Sequence, residues 1–353
     1  MRYILDIPPE LVEKINEYLR SNKYNSLHDF LITAIQNQVY YESREDVSGP
    51  EVPVMTSSST TTASVVNAIH LIQLSPRLSE VKTVPVSDLP RHNYLWGQYN
   101  RLFPVKIATR VASNLLRISG TEQIPLLELQ EKSAEIARDL GKDIARKERS
   151  MGRKRGEIIS AALPIGRKQE KTESRFKNQF VGYVAKIKVE GEHTPAFRVE
   201  GAAPTLKFLS FSLDEKNTVN VGITDPGLKF SILPNPVIEL QNYSAPFSPE
   251  EIEFLLEHIA CEIPGEAKLI RLILSGVKEG IATPEGLNER IKSFKKENGK
   301  ELEGNEAITM RVGVVSRISE LGLLDRKKDG VRVTYELTEL GEKYMERLKK
   351  LEE

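Results

Sequence analysis

Residues 2–39 place a short strand and two amphipathic helices in fewer than forty residues, too few to enclose a core of their own. Arg2-Tyr3-Ile4-Leu5-Asp6-Ile7 has the character of a strand, and Pro8-Pro9 ends it because proline cannot donate to a ladder. Leu11, Val12, Ile15, Tyr18 and Leu19 then recur on one face of a 3.6-residue period, with Glu10, Glu13, Lys14 and Glu17 opposite. Ser21 to Asn25 breaks the pattern. Ser26, with Asp29 three residues on, predicts the N-cap of a second helix whose apolar stripe is Leu27, Phe30, Leu31, Ala34, Ile35 and Val39. A lone strand leaves backbone groups unpaired on both edges, and the two helices expose a shared apolar face. A second copy of the chain answers both needs, so a homodimer or higher homo-oligomer is expected.

On the Ile7-Pro8-x-Glu10-Leu11 junction, and the Tyr24-Asn25-Ser26 turn leading to Phe30 and Ala34, this stretch resembles the ribbon-helix-helix family of Arc- and MetJ-like DNA-binding regulators. The resemblance covers about one-eighth of the chain. It implies two strands paired into an antiparallel ribbon that enters the major groove of double-stranded DNA. Aligning Ile7 with the apolar residue before the family's proline turns Tyr3, Leu5 and Ile7 to the core, where Leu31 and Ile35 complete the dimer contact. Arg2, Ile4 and Asp6 then face the groove, with Ser26 at the helix start near the backbone. Acids outnumber bases by two over residues 1–45, so the ribbon is a poor source of phosphate affinity. Both a groove reader and a dimerisation module without groove contacts remain open.

The remaining chain predicts an α+β protein with four parts: the ribbon-helix-helix at 1–45, a linker at 46–90, a central helical and small antiparallel-sheet region at 91–245, and 246–353. The linker is assigned from its Ser, Thr, Gly and Pro content. Tyr94, Trp96, Tyr99 and Phe103 are expected in the core, ahead of a helix carrying Val105, Ile107, Ala108, Val111, Leu115 and Leu116. Further helices are predicted over 126–140 and near Gly156 to Leu163, a possible helix-turn-helix. Between and beyond them runs a stretch from Arg138 to Lys177 with seven more cations than acids. Arg153, Lys154 and Arg155 stand at its centre as candidate phosphate contacts, against the alternative of a solvated basic face. Strand-like runs over 180–189, 196–199, 206–211 and 218–221 predict a small antiparallel sheet, with Asp225-Pro226-Gly227 as a turn. Ser248-Pro249-Glu250-Glu251 predicts a capped helix to about Ala260.

In the last hundred residues, three helical patterns precede Leu324 to Leu337, a predicted hairpin with Asp329-Gly330 at its tip, and a closing helix through Tyr344 and Leu348. With Tyr335-Glu336-Leu337-Thr338-Glu339-Leu340-Gly341, this resembles the winged-helix domains of many prokaryotic regulators. The resemblance implies that Arg311, Ser316 and Arg317 face a groove and that Arg326, Lys327 and Lys328 form a basic wing tip. A protein-contact role for the wing is the alternative.

Equal numbers of acidic and basic residues make the formal net charge zero, so nucleic-acid affinity must come from local patches. One cysteine, Cys261, excludes an internal disulfide framework and suits a reducing compartment. No signal peptide or membrane span is visible, and a cytoplasmic protein is expected. His258 and Cys261 are the only pair at a metal-like spacing, and two ligands do not make a site. With no phosphate loop, serine-nucleophile elbow or clustered carboxylate motif, neither an enzyme nor a cofactor is expected. These patterns predict a dimeric, sequence-specific DNA-binding transcriptional regulator. The alternative is an architectural or scaffolding DNA-associated protein of a plasmid, virus or defence system.

Overall fold

The computed structural model describes residues 71–73, 76–153, 158–166, 168–187, 196–293, 304–329 and 332–350. All lie within a compact unit spanning Thr61–Glu353. The elements expected over 2–39, with Arg2, Tyr3, Ile4, Leu5, Asp6, Ile7, Ser26, Leu31 and Ile35, lie outside the described residues, as do Lys154 and Arg155. The described chain is α+β, with small antiparallel sheets among helices.

Helix α1 (Phe103–Ser119) is buried on nearly every face. Its apolar stripe explains Val105, Ile107, Ala108 and Val111, but Lys106 and Arg110 are fully enclosed as well. They are satisfied by the end of another helix, whose last carbonyls have no partner of their own. Lys106 Nζ donates to the carbonyls of Phe230 and Leu233 at 2.6 and 2.7 Å. Arg110 donates to those of Ser231, Leu233 and Ile72, and pairs with Glu239 at 2.6 Å. A second ion pair joins Lys106 to Glu251 at 2.8 Å. Burial pulls the Lys106 ammonium down to about 8 and pushes the Glu251 carboxyl up.

Strand β1 (Ile124–Pro125) leads into α2 (Leu126–Ser150), which packs on α1 and runs past the expected end near 140. The periodic burial of Ala137, Leu140, Gly141, Ile144 and Glu148 carries it on. Glu148 then holds the returning chain, accepting from Ile159 N–H and Ser160 Oγ at 2.5 Å each. In place of the helix expected near 156–163, the described residues show one 3-10 turn, Ser160–Ala162, so no helix-turn-helix forms there. Helix α3 (Gln169–Phe176) continues through a π turn, Lys177–Val181, which takes Phe180 and Val181 out of the strand expected from 180.

The single small sheet expected over 180–221 is two. Strands β2 (Tyr183–Ile187) and β3 (Ala196–Glu200) form one hairpin, with Tyr183 opposite Glu200 and Ala185 opposite Arg198. Gly182 and Gly201 close its base with φ of 113° and 126°, and a Cβ on Gly201 would lie 2.5 Å from Gly182 Cα. Only glycine fits that approach. After the single turn α4 (Ala202–Thr205), β4 (Leu209–Leu213) and β5 (Val219–Ile223) build a separate sheet in the order β1-β5-β4. Asp225-Pro226-Gly227, expected as a turn, is instead the first turn of α5 (Asp225–Ile232), with Thr224 Oγ1 accepting from Gly227 N–H at 3.2 Å.

Part of the expected linker is folded onto this body. Ile72 and Val81 are buried, Val84 N–H donates to the Ile223 carbonyl, and Val199 N–H donates to that of Pro90. Residues 76–90 and the short helical piece at 71–73 therefore belong to the packed unit rather than to a linker running to 90.

Helix α6 (Pro249–Glu262) begins at the predicted Ser248 cap, which the structure shows to be a capping box with Glu251. Helices α7 (Pro264–Lys278), α8 (Pro284–Ser293) and α9 (Gly304–Glu320) follow. The hairpin of β6 (Leu324–Asp329) and β7 (Arg332–Leu337) pairs Leu324 with Leu337 and Asp329 with Arg332. Helix α10 (Glu339–Lys350) closes the chain, and Tyr344 Oη bonds the Leu256 carbonyl of α6 at 2.9 Å. No described helix is long and apolar enough to cross a membrane.

Candidate functional site

The segment 92–99, the β2–β3 hairpin and the start of α9 converge on one pocket. Its assembly begins with a buried ion pair. Glu266 on α7 takes two guanidinium donors of Arg317 on its Oε1, at 2.7 and 2.9 Å, and the Leu95 N–H on its Oε2 at 2.9 Å. Arg317 spends its other donors on the carbonyls of Leu95, Trp96 and Tyr99. Beside it, Gly97 and Gly313 touch: a Cβ on Gly97 would lie 2.2 Å from the Thr309 carbonyl oxygen, and one on Gly313 would lie 2.3 Å from that of Gly97. Glu320, at the far end of α9, accepts from Leu102 N–H at 2.6 Å and Phe103 N–H at 3.4 Å, at the start of α1. Burial pushes the Glu320 carboxyl up.

These contacts clamp α9 to segment 92–99, leaving a pocket of about 400 Å³ beside them. His92, Trp96, Tyr183, Arg198, Glu200 and Glu306 supply its chemistry. Antiparallel pairing puts Tyr183, Arg198 and Glu200 on one face of the hairpin, because cross-strand partners and residues two apart share a side. Glu200 Oε1 receives Arg198 Nε at 2.7 Å and Nη2 at 2.6 Å. Its Oε2 lies 3.5 Å from the donating Tyr99 hydroxyl and 3.4 Å from His92 Nε2, which has no hydrogen bond that meets ordinary geometry. Burial alone would raise the Glu200 carboxyl, but His92 and Arg198 outweigh it and hold the group below the usual carboxylate range. The Tyr183 hydroxyl is pushed up by burial and by Glu200, and that of Tyr94 by burial and by Glu306. His92, Tyr94 and Trp96 pack ring against ring at 5.2 to 5.7 Å between centroids.

No family model, curated protein or solved structure matches this chain.

Those residues singled out in the sequence that are described do not line this pocket. Arg317, expected to face a groove, is 1% exposed and wholly engaged in the ion pair just described, which corrects that expectation. Arg311 is half-buried, with Nε on Asn288 Oδ1 at 2.8 Å and Nη1 on the Tyr335 hydroxyl at 3.3 Å. Arg326, Lys327 and Lys328 are exposed on β6, and Lys327 pairs with Glu336 at 2.5 Å. Arg153 is half-buried just beyond α2, its N–H on the Glu148 carbonyl at 3.1 Å. Several cations of the basic run meet local acids: Arg138 with Glu173 and Asp139, Lys142 with Asp139, and Arg146 with Asp143. His258 stacks on Phe254 and bonds the Leu206 carbonyl at 2.6 Å, while Cys261 is exposed. Among the described residues, no group of three or more His, Cys, Asp or Glu is placed to hold a metal ion.

Sequence reasoning missed the pocket. Tyr94, Tyr99 and Phe103 are core, as their aromatic character suggested, but Trp96 is only half-buried and lines the site. The usable signal was the alternation in Phe197-Arg198-Val199-Glu200, which puts two opposite charges on one strand face.

Proposed function

We propose that the chain is a homodimeric DNA-binding transcriptional regulator. In this reading residues 1–45 form the ribbon-helix-helix that pairs two chains and reads bases, and 246–353 form a winged helix whose hairpin meets phosphate. The observation that carries it is the exposed hairpin strand, where Arg326, Lys327 and Lys328 follow one another without burial. The order α7, α8, α9, β6, β7, α10 is the one a winged helix takes, and it supports the same reading. Lysine ammonium groups act as point charges with little base-reading geometry, so this tip supplies affinity and leaves discrimination to Arg2.

Competition titrations at fixed salt, with cognate and random duplexes, test this division. Arg2→Ala is expected to lower the preference for the cognate site by about 1–3 kcal/mol, the scale of one base contact. Replacing Arg326, Lys327 and Lys328 together by Ala is expected to weaken both duplexes alike and to flatten the salt dependence by up to about three counterions. Full discrimination retained by Arg2→Ala would reduce the ribbon to a dimerisation device. An unchanged salt slope in the triple variant would remove the hairpin from the interface.

A second reading is a scaffolding protein on DNA whose C-terminal module contacts other proteins. It is favoured by the outward face of α9, where Asn305, Ile308, Val312 and Ser316 carry no cation and Ile308 and Val312 are each 43% exposed. Genomic-site profiling separates the two: a few palindromic sites near promoters for the regulator, broad coating for the scaffold.

A further inference from the structure

We propose that the outward face of α9 lies in the major groove of duplex DNA with Ile308 and Val312 against thymine methyl groups, so that this helix selects A·T base pairs. The inference rests on the winged-helix reading above and names the kind of site that module prefers. What holds the helix from behind sets the face it presents. Ala307, Met310, Val314 and Ile318 are buried, Gly313 lies against Gly97, and Arg317 is enclosed with Glu266. A 3.6-residue period then brings Asn305, Ile308, Val312 and Ser316 to one outer line, with Ile308 and Val312 each 43% exposed.

The residues on that line are ill suited to guanine, which is read in this groove by an arginine or lysine donating to O6 and N7. Residues 304–320 contain two cations, and both are engaged elsewhere. Arg317 is sealed, and Arg311 donates to Asn288 Oδ1 on α8 at 2.8 Å and to the Tyr335 hydroxyl on β7 at 3.3 Å. Thymine carries the one methyl that unmodified bases show in the major groove, and branched aliphatic chains bury it without a polar partner. Asn305 adds an amide, the group that pairs with adenine N6 and N7. The occupant is a duplex and not an apolar protein surface, because the exposed cations Arg326 and Lys328 follow just beyond the helix. Leu323 N–H on the Ile318 carbonyl at 2.8 Å fixes their hairpin to the end of α9, so phosphates answer the cations while methyls answer the helix.

Replacing thymine by uracil removes the methyl and leaves charge and pairing unchanged, so it isolates the contact. The probes are a labelled alternating A·T duplex, its uracil counterpart and a G·C duplex of equal length, titrated by anisotropy at fixed salt. They are bound to the full-length protein and to its Arg2→Ala variant, which lacks the base contact assigned to the ribbon. In both proteins the thymine duplex is expected to bind more tightly than the uracil one, by about fourfold for one buried methyl and about fifteenfold for two. The G·C duplex is expected to bind more weakly than the thymine duplex. Ile308→Ala combined with Val312→Ala, at exposed positions, is expected to bring the thymine-to-uracil ratio close to one while keeping the parent's affinity for the uracil duplex. A parent ratio of one, a G·C duplex bound as tightly as the thymine duplex by Arg2→Ala, or a ratio that survives in the double variant would each overturn the assignment and give this face to a protein partner. Absence of binding to all three duplexes would instead refute the winged-helix reading on which it rests.

Discussion

Two arginine–glutamate pairs contact segment 92–99, and the same chemistry serves opposite ends in them. Arg317 and Glu266 are each 1% exposed at the side chain, and their donors and acceptors are consumed by each other and by the backbone of Leu95, Trp96 and Tyr99. In Arg198 and Glu200 the contact is as short, at 2.6 Å, but the guanidinium is 34% exposed and one carboxylate oxygen has only long contacts to His92 and Tyr99. A sealed pair positions the chain around it. An open pair presents charge to whatever enters the cavity. The sealed pair is therefore what gives the open one its shape, by holding Trp96 and α9 in place.

The largest expected effect comes from breaking the sealed pair. Glu266→Ala leaves Arg317 buried without its carboxylate and is expected to destabilise the protein by about 3–5 kcal/mol, measured by urea denaturation. A loss under about 1 kcal/mol would mean that the backbone carbonyls alone satisfy Arg317.

Next in size is Gly97→Ala, whose new methyl would overlap the Thr309 carbonyl and force α9 away from the segment. Overpacking of this kind costs about 1–3 kcal/mol, and the emission of Trp96, one residue away, is expected to shift with it. Unchanged stability and emission would show that the helix and segment separate freely.

The smallest effect belongs to the open pair. Glu200→Gln is expected to cost about 1 kcal/mol at neutral pH, because Arg198 remains partly in solvent. The folded carboxyl sits below the ordinary value of 4.5, so it contributes stability above that value and loses it as pH falls through its own lower one. The stability gap between parent and Glu200→Gln should accordingly close on acidification below about 4.5. A gap that holds or widens in acid would reverse the sign assigned to His92 and Arg198.

Local signals carried well into the structure where a few adjacent residues settle the outcome. The Ser248-Pro249-Glu250-Glu251 cap opens α6, and the run from Leu324 to Leu337 is an antiparallel hairpin, although Asp329, expected at the tip, is a strand residue paired with Arg332. They misled where one local choice competes with a distant partner. Asp225-Pro226-Gly227 suits a turn, but it also suits a helix start once Thr224 caps it, and α5 takes the second course. The basic run looked like a continuous positive surface, whereas Arg138, Lys142 and Arg146 meet acids one to thirty-five residues away along the chain.

The sequence by itself determined the α+β character of the body, most helix positions from 103 onward, the aromatic core and the C-terminal hairpin. Each follows from periodicity, capping or turn chemistry within one element. Only the tertiary structure decided the fate of the charges. Lys106, Arg110 and Arg317 resemble solvent-facing cations in the sequence, and nothing adjacent marks them otherwise. They are buried because Glu251, Glu239, Glu266 and the free carbonyls at helix and segment ends arrive from 38 to 222 residues away. The pocket has the same origin. His92, Glu200 and Glu306 come from three separate parts of the chain, and only packing α9 against segment 92–99 puts their side chains around one cavity.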